Sequence, residues 1–258
     1  MQEKLDKAVE FFKKGEWDNA IDVFSSVLET RSDNAEIYNN LALCYANKGD
    51  YDKAEKNYLK SIELNPKIPQ AYINLADIYY RQRDFEHGIG LLNTAIYELP
   101  NELILSHYLA RFYMEDARLD LAIDELEQIL DRQPDNYDAY YDLGKVHFEL
   151  GNYQLAVENF ENVLEYKENN EFIYFYLAQA YEANDEIDKA ISNYLKAIAV
   201  NEKFHPAFKK VAILFMARGD FDDAIEYLEE YIKLEIPKEE IENAKALIEK
   251  IKKKKNEK

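Results

Sequence analysis

Four histidines, His87, His107, His147 and His205, are the side chains of this sequence best suited to proton transfer or metal ligation near neutral pH. They fall at unrelated places, with no His-x-x-x-His or His–Glu pairing of metal-ligand type. The one cysteine, Cys44, excludes an internal disulfide and a cysteine-cluster metal site. None of the seven glycines belongs to a phosphate-cradling loop. Serines are not paired with histidine, and no polar triad stands out from the background of 51 carboxylates. The expectation is a chain that is not an enzyme and carries no metal and no cofactor.

The elements behind these residues are short amphipathic helices. In residues 35–68, Tyr38, Leu41, Ala42 and Tyr45 lie on one helical face by their spacing of three and four. Gly49-Asp50 interrupts that helix, and Asp50 suits the N-cap of the next. A second stripe follows, through Tyr51, Ala54, Tyr58, Ser61 and Ile62, until Asn65-Pro66 stops it. One such hairpin buries too little to fold alone.

Shifted by 34 residues, the chain registers on itself as 1–34, 35–68, 69–102, 103–136, 137–170, 171–204 and 205–238. The eighth position is always small: Ala8, Ala42, Ala76, Ala110, Gly144, Ala178 and Ala212. So is the twentieth, through Ala20, Ala54, Gly88, Ala122, Ala156, Ala190 and Ala224, which lets the helices of a hairpin approach closely. The twenty-fourth is large, as at Phe24, Tyr58, Leu92 and Tyr194. With proline at Pro66, Pro100 and Pro134, this pattern resembles the tetratricopeptide repeat family. The resemblance implies an all-α, right-handed superhelical solenoid of antiparallel helix hairpins. Departures are few. Ser32, Glu168 and Glu202 replace the closing proline, and Arg83, Ala117 and Asp185 stand where Gly15, Gly49, Gly151 and Gly219 mark the other turns. The third and fourth repeats are thus the least regular.

Lys4 and Lys7 replace the aromatic and leucine of later first helices, reading as a polar end to the array. Residues 239–258 are expected to form a capping helix, with Ile241, Ala244, Ile248 and Ile251 on one stripe, and a lysine-rich tail. Residues 238–258 carry a net charge of +3, leaving −22 for the rest. That acidity argues against nucleic acid as a partner. The charged N-terminus reads as no signal peptide, no apolar run is long enough for a transmembrane segment, and the expected location is cytoplasmic.

Function is then expected from a surface. In the resembled family, first helices line a concave groove in which partner peptides lie. The corresponding positions here hold Tyr80, Tyr108, Tyr141 and Tyr176, with His107, Phe148, Phe172 and Phe175, all in the third to sixth repeats. Such aromatics offer large contact area at little cost in rotamer entropy. Arg111 and Lys145 stand beside them at equivalent positions, suited either to acidic ligand groups or to nearby Glu115, Asp142 or Glu149. Asn40 and Asn74 recur at the sixth position, where an amide can hold a peptide backbone by both donor and acceptor. The lysine–asparagine clamp used by relatives that grip chaperone tails is not matched, since Leu5 and Val9 occupy its places. The expectation is a protein–protein interaction scaffold holding a peptide segment or helix of a partner protein. Self-association, or service as a regulatory subunit of a separate enzyme, is the alternative.

Overall fold

The computed structural model describes residues 2–167 and 169–256, so the expectation for Glu168 lies outside the described residues, as do the last residues of the tail. All regular structure among them is helical. The chain divides into two compact units, the first ending at Arg132 and the second beginning at Gln133.

The first unit holds α1 (Gln2–Lys13), α2 (Trp17–Leu28), α3 (Ala35–Lys48) and α4 (Tyr51–Leu64). It continues through α5 (Pro69–Gln82), α6 (Phe85–Glu98), α7 (Leu103–Glu115) and α8 (Leu119–Arg132). The second unit holds α9 (Tyr137–Glu149), α10 (Tyr153–Tyr166), α11 (Glu171–Ala183) and α12 (Ile187–Val200). It ends with α13 (His205–Arg218), α14 (Phe221–Tyr231) and α15 (Lys238–Asn256). Within each unit, consecutive helices pack as neighbours, and the pairs stack on one another.

Some helix starts are capped by short polar side chains. Asn34 accepts from the Ile37 amide at 3.0 Å, and Asn136 from Ala139 at 3.0 Å. Asp50 accepts from Lys53 at 3.4 Å, and Asn170 from Phe172 at 2.9 Å. Each satisfies one of the amides that a helix N-terminus leaves without an internal partner.

The turn inside each pair takes one conformation throughout. Gly15, Gly49, Gly151 and Gly219 have positive φ, and so do Arg83 at 58°, Ala117 at 56° and Asp185 at 66°. The closing hydrogen bonds are the same at both residue types: Gly49 N to Ala46 O with Asp50 N to Tyr45 O, and Ala117 N to Met114 O with Arg118 N to Tyr113 O. The irregularity of the third and fourth repeats is therefore chemical. Their turns keep the left-handed shape without the residue that adopts it most easily.

The core follows the repeat. Ala42, Ala54, Ala76, Ala122, Ala156 and Ala190 are all fully buried, and the large side chains Tyr58, Tyr72, Tyr194, Phe112 and Phe160 fill the space between them. Where the small residue is glycine, a ring takes up the room. Phe160 packs over Gly144 of its own pair, whereas Gly88 of α6 is covered by Phe112 from α7, in the following pair. The small twentieth position there serves the contact between pairs rather than within one. On α15, Ala244, Ile248 and Ile251 are buried and Ile241 is half-buried, while Lys4 and Lys7 on α1 are exposed.

Candidate functional site

The expected site residues fall into two groups, one in each unit. In the first unit, Asn40 lies half-buried on α3 and Asn74 half-buried on α5. The Asn74 Oδ1 accepts from Gln70 Nε2 at 2.7 Å. Tyr80, near the end of α5, packs edge-on against Phe112 at 5.5 Å and donates its hydroxyl to Glu115 at 2.9 Å. The Arg111 guanidinium sits 5.5 Å from the Tyr80 ring and 6.0 Å from that of Tyr108. Burial raises the Tyr80 pKa, the Glu115 carboxylate adds to the rise, and Arg111 opposes it. His107 and Tyr108 are half-buried on α7 and Arg111 is exposed. This is a cation held against two aromatic faces.

The second unit holds a longer aromatic series. Phe172 on α11 is 51% exposed and meets Phe204 at 5.2 Å. Phe204 meets Phe175 at 5.3 Å, Phe175 meets Tyr176 at 6.1 Å, and Tyr176 meets Tyr141 of α9 at 5.7 Å. All of these contacts are edge-on, as ring quadrupoles favour. Beneath them, Phe160 stacks on Tyr176 at 6.0 Å. Phe148 pairs separately with Tyr153 at 5.5 Å. Burial lifts the Tyr141 hydroxyl well above the ordinary tyrosine range, with Tyr176 alongside adding to the shift. Lys145 Nζ is 5.4 Å from the Tyr141 ring and 3.4 Å from Asp142, so the nearby-carboxylate pairing is the one formed.

Tyr141, Phe148, Phe175 and Tyr176 are thus less free than their sequence positions suggested: each is half-buried and rests on the core. Only their outer edges are available, with Phe172 the most accessible. Beside them, Tyr137, Tyr141, Lys167 and Phe172 border a cleft of about 240 Å³, where Lys167 Nζ lies 3.6 Å from the Tyr137 ring. Tyr137, Lys167 and Phe204 were not among the expected site residues. Phe204 sits in the approach to α13, at the close of its repeat, and so is not among the first-helix positions that the family resemblance singled out.

Among the described residues, no group of three or more His, Cys, Asp or Glu is placed to hold a metal. No described helix is long and apolar enough to cross a membrane. Cys44 is buried, which pushes its thiol pKa up to about 11.

Family models for tetratricopeptide repeats match residues 8–49, 35–68 and 57–86, and again 109–166 and 141–206. No curated protein sequence matches the chain. Among solved structures, the C-terminal part of a TPR repeat-containing protein from Cytophaga hutchinsonii is 21% identical, with a TM-score of 0.76 over 92% of this chain and 98% of that one. A tetratricopeptide repeat protein from Parabacteroides merdae is 17% identical, with a TM-score of 0.68 over 96% and 98%. YrrB, described as a TPR protein with an unusual peptide-binding site, is 21% identical, with a TM-score of 0.59 over 73% and 97%. Proteins built this way typically mediate protein–protein interactions and are generally non-catalytic. Stacked helix pairs, a 34-residue period and the matching family models lead to one assignment: the chain belongs to the tetratricopeptide repeat family.

Proposed function

We propose that this chain is a non-enzymatic interaction scaffold that holds a peptide segment or helix of a partner protein against the inner faces of its first helices. The observation that carries the reading is the series Phe172, Phe204, Phe175, Tyr176 and Tyr141, held edge to edge in the second unit with Phe172 half in solvent. Rings already fixed by their neighbours lose little freedom when a ligand covers them, so their contact area converts efficiently into affinity. Lys145 and Lys167 flank the series already paired with Asp142 and Asp138, so the rings rather than free charge carry the contact. In the first unit Tyr80, His107, Tyr108 and Arg111 form a second, smaller contact face of the same kind. A reducing compartment such as the cytoplasm suits the single buried thiol.

The test is capture of partners from native lysate by the wild type and by a Tyr141→Ala/Phe175→Ala variant, read by mass spectrometry. A partner recovered by the first and lost by the second supports the reading. Equal recovery removes it.

A further inference from the structure

The cleft beside the aromatic series of the second unit already holds a cation, and that cation belongs to the chain itself. Lys167 stands at the C-cap of α10, and its ammonium lies 3.6 Å from the centre of the Tyr137 ring, against 5.0 Å for Lys189 over Tyr181. At 3.6 Å the ammonium touches the ring face, where the quadrupole is negative. Asp138, next to that ring in the first turn of α9, lies 3.8 Å from the same nitrogen. One ring and one carboxylate thus converge on a single cation, and both line the cleft of about 240 Å³. Small-molecule sites usually run from about 300 to 1,000 Å³, so this cleft suits one long side chain.

The surroundings say which kind of side chain. Tyr141 and Phe172 add two more rings to the lining, and the buried Val163 and Ile173 complete an apolar surface for a hydrocarbon stem. Ring faces and a carboxylate repel an anion and attract a cation. Asp138 also sits at a helix N-terminus, which stabilises its charge whether or not Lys167 is beside it. The net charge of the chain, −19, draws basic ligands toward it. Neither member of the internal pair is sealed off: the side chains of Lys167 and Asp138 remain 43% and 61% exposed. An ion pair this open contributes little to stability, so separating it costs little. An incoming cation takes over the same ring and the same carboxylate, and neither is left bare by the exchange.

We propose that this cleft is a subsite for a basic side chain, lysine or arginine, of the bound peptide, and that Lys167 is its internal occupant, displaced when the ligand arrives. The proposal rests on the peptide-binding reading of the second unit and names the ligand chemistry at one end of that face.

The probe is butylammonium, the lysine side chain as a free ion, titrated into ¹⁵N-labelled protein at constant ionic strength, with butyrate as the anionic counterpart. The expected result is a saturable shift of the Phe172 and Ile173 amide signals with butylammonium and none with butyrate. Lys167→Met keeps the apolar stem and removes the ammonium. It should bind butylammonium about fivefold more tightly than the wild type, because the internal competitor no longer fills the site. Adding Asp138→Asn to that variant should weaken binding about fivefold, through loss of the carboxylate beside the ring. Lys189→Met is the control for net charge: its ammonium lies over Tyr181, outside this cleft, and the variant should bind as the wild type does. No saturable shift in Lys167→Met, an equal shift with butyrate, or equal tightening in Lys167→Met and Lys189→Met would each overturn the subsite. Because the titration needs no partner protein, its failure is separate from a failure of the aromatic face in partner capture.

Discussion

The Phe112 ring occupies the space that a β-carbon on Gly88 would need: its Cε1 would lie 1.9 Å from that carbon. The ring is fully packed against Tyr80 at 5.5 Å and Phe85 at 6.2 Å, so it has nowhere to retreat. Gly88→Ala should therefore destabilise the first unit by about 1–3 kcal/mol, as overpacked cores do. Gly90, two residues on in the same helix, has an ordinary helical backbone, and a β-carbon added there would meet nothing within 4 Å. Gly90→Ala should stabilise by about 1 kcal/mol from helix propensity alone. Chemical denaturation of the two variants side by side checks the pair; a stabilised Gly88→Ala would show that the α6–α7 contact is loose.

The left-handed turns lead to the opposite substitution. Ala117 holds φ at 56° in a place where glycine stands in four other repeats. A non-glycine residue there carries about 1–2 kcal/mol of strain, part of which glycine's greater freedom when unfolded offsets. Ala117→Gly should gain up to about 1 kcal/mol, and Gly219→Ala should lose about as much. Arg83→Gly is a poorer test, because the Arg83 guanidinium also lies 5.3 Å from the Phe85 ring and that contact would go too. Thermal melts followed by circular dichroism decide the sign.

Partner binding should follow the aromatic edges rather than the total helix content. Tyr141→Ala/Phe175→Ala should abolish capture of a specific partner while the helical signal stays. Both rings touch the core, so some loss of stability accompanies the change. Phe172→Ala provides the cleaner variant, since that ring is half in solvent. It should weaken binding about fivefold or more, the behaviour of a contact residue at an interface centre, with a smaller fall in melting temperature than the double variant shows.

Glu125 gives a dependence on pH. It is half-buried on α8, and burial raises its pKa above the ordinary 4.5, with Asp124 adding to the rise and Ser106 opposing it. The folded chain therefore holds this proton more tightly than the unfolded chain. Stability from this group is undiminished below pH 4.5 and falls as pH rises through the folded-state pKa. Glu125→Gln removes the loss. The variant should melt above the wild type at pH 7, and the gap should shrink as pH drops below 5; an unchanging gap would trace the gain to something other than ionisation.

The repeat period, the helix pairs and the buried alanines were all legible in the sequence because a solenoid writes its packing rule once per unit. Side-chain identity at the turns was legible too, but its conformation was not: Arg83, Ala117 and Asp185 looked like breaks in the pattern and are instead the same turn under strain. The aromatic faces were half legible. The lining positions of the resembled family placed Tyr141, Phe175 and Tyr176 together, yet could not show that they rest on the core or that Phe204 joins them from outside a helix.

In each unit the helices that touch are largely neighbours along the chain. Selection can thus work on such a molecule in instalments: a changed side chain on α1 need not be reconciled with one on α7 of the same unit, because each pair packs chiefly on its neighbours. The lineage that carries this chain is free to exchange one partner preference for another, one helix pair at a time, without renegotiating the fold.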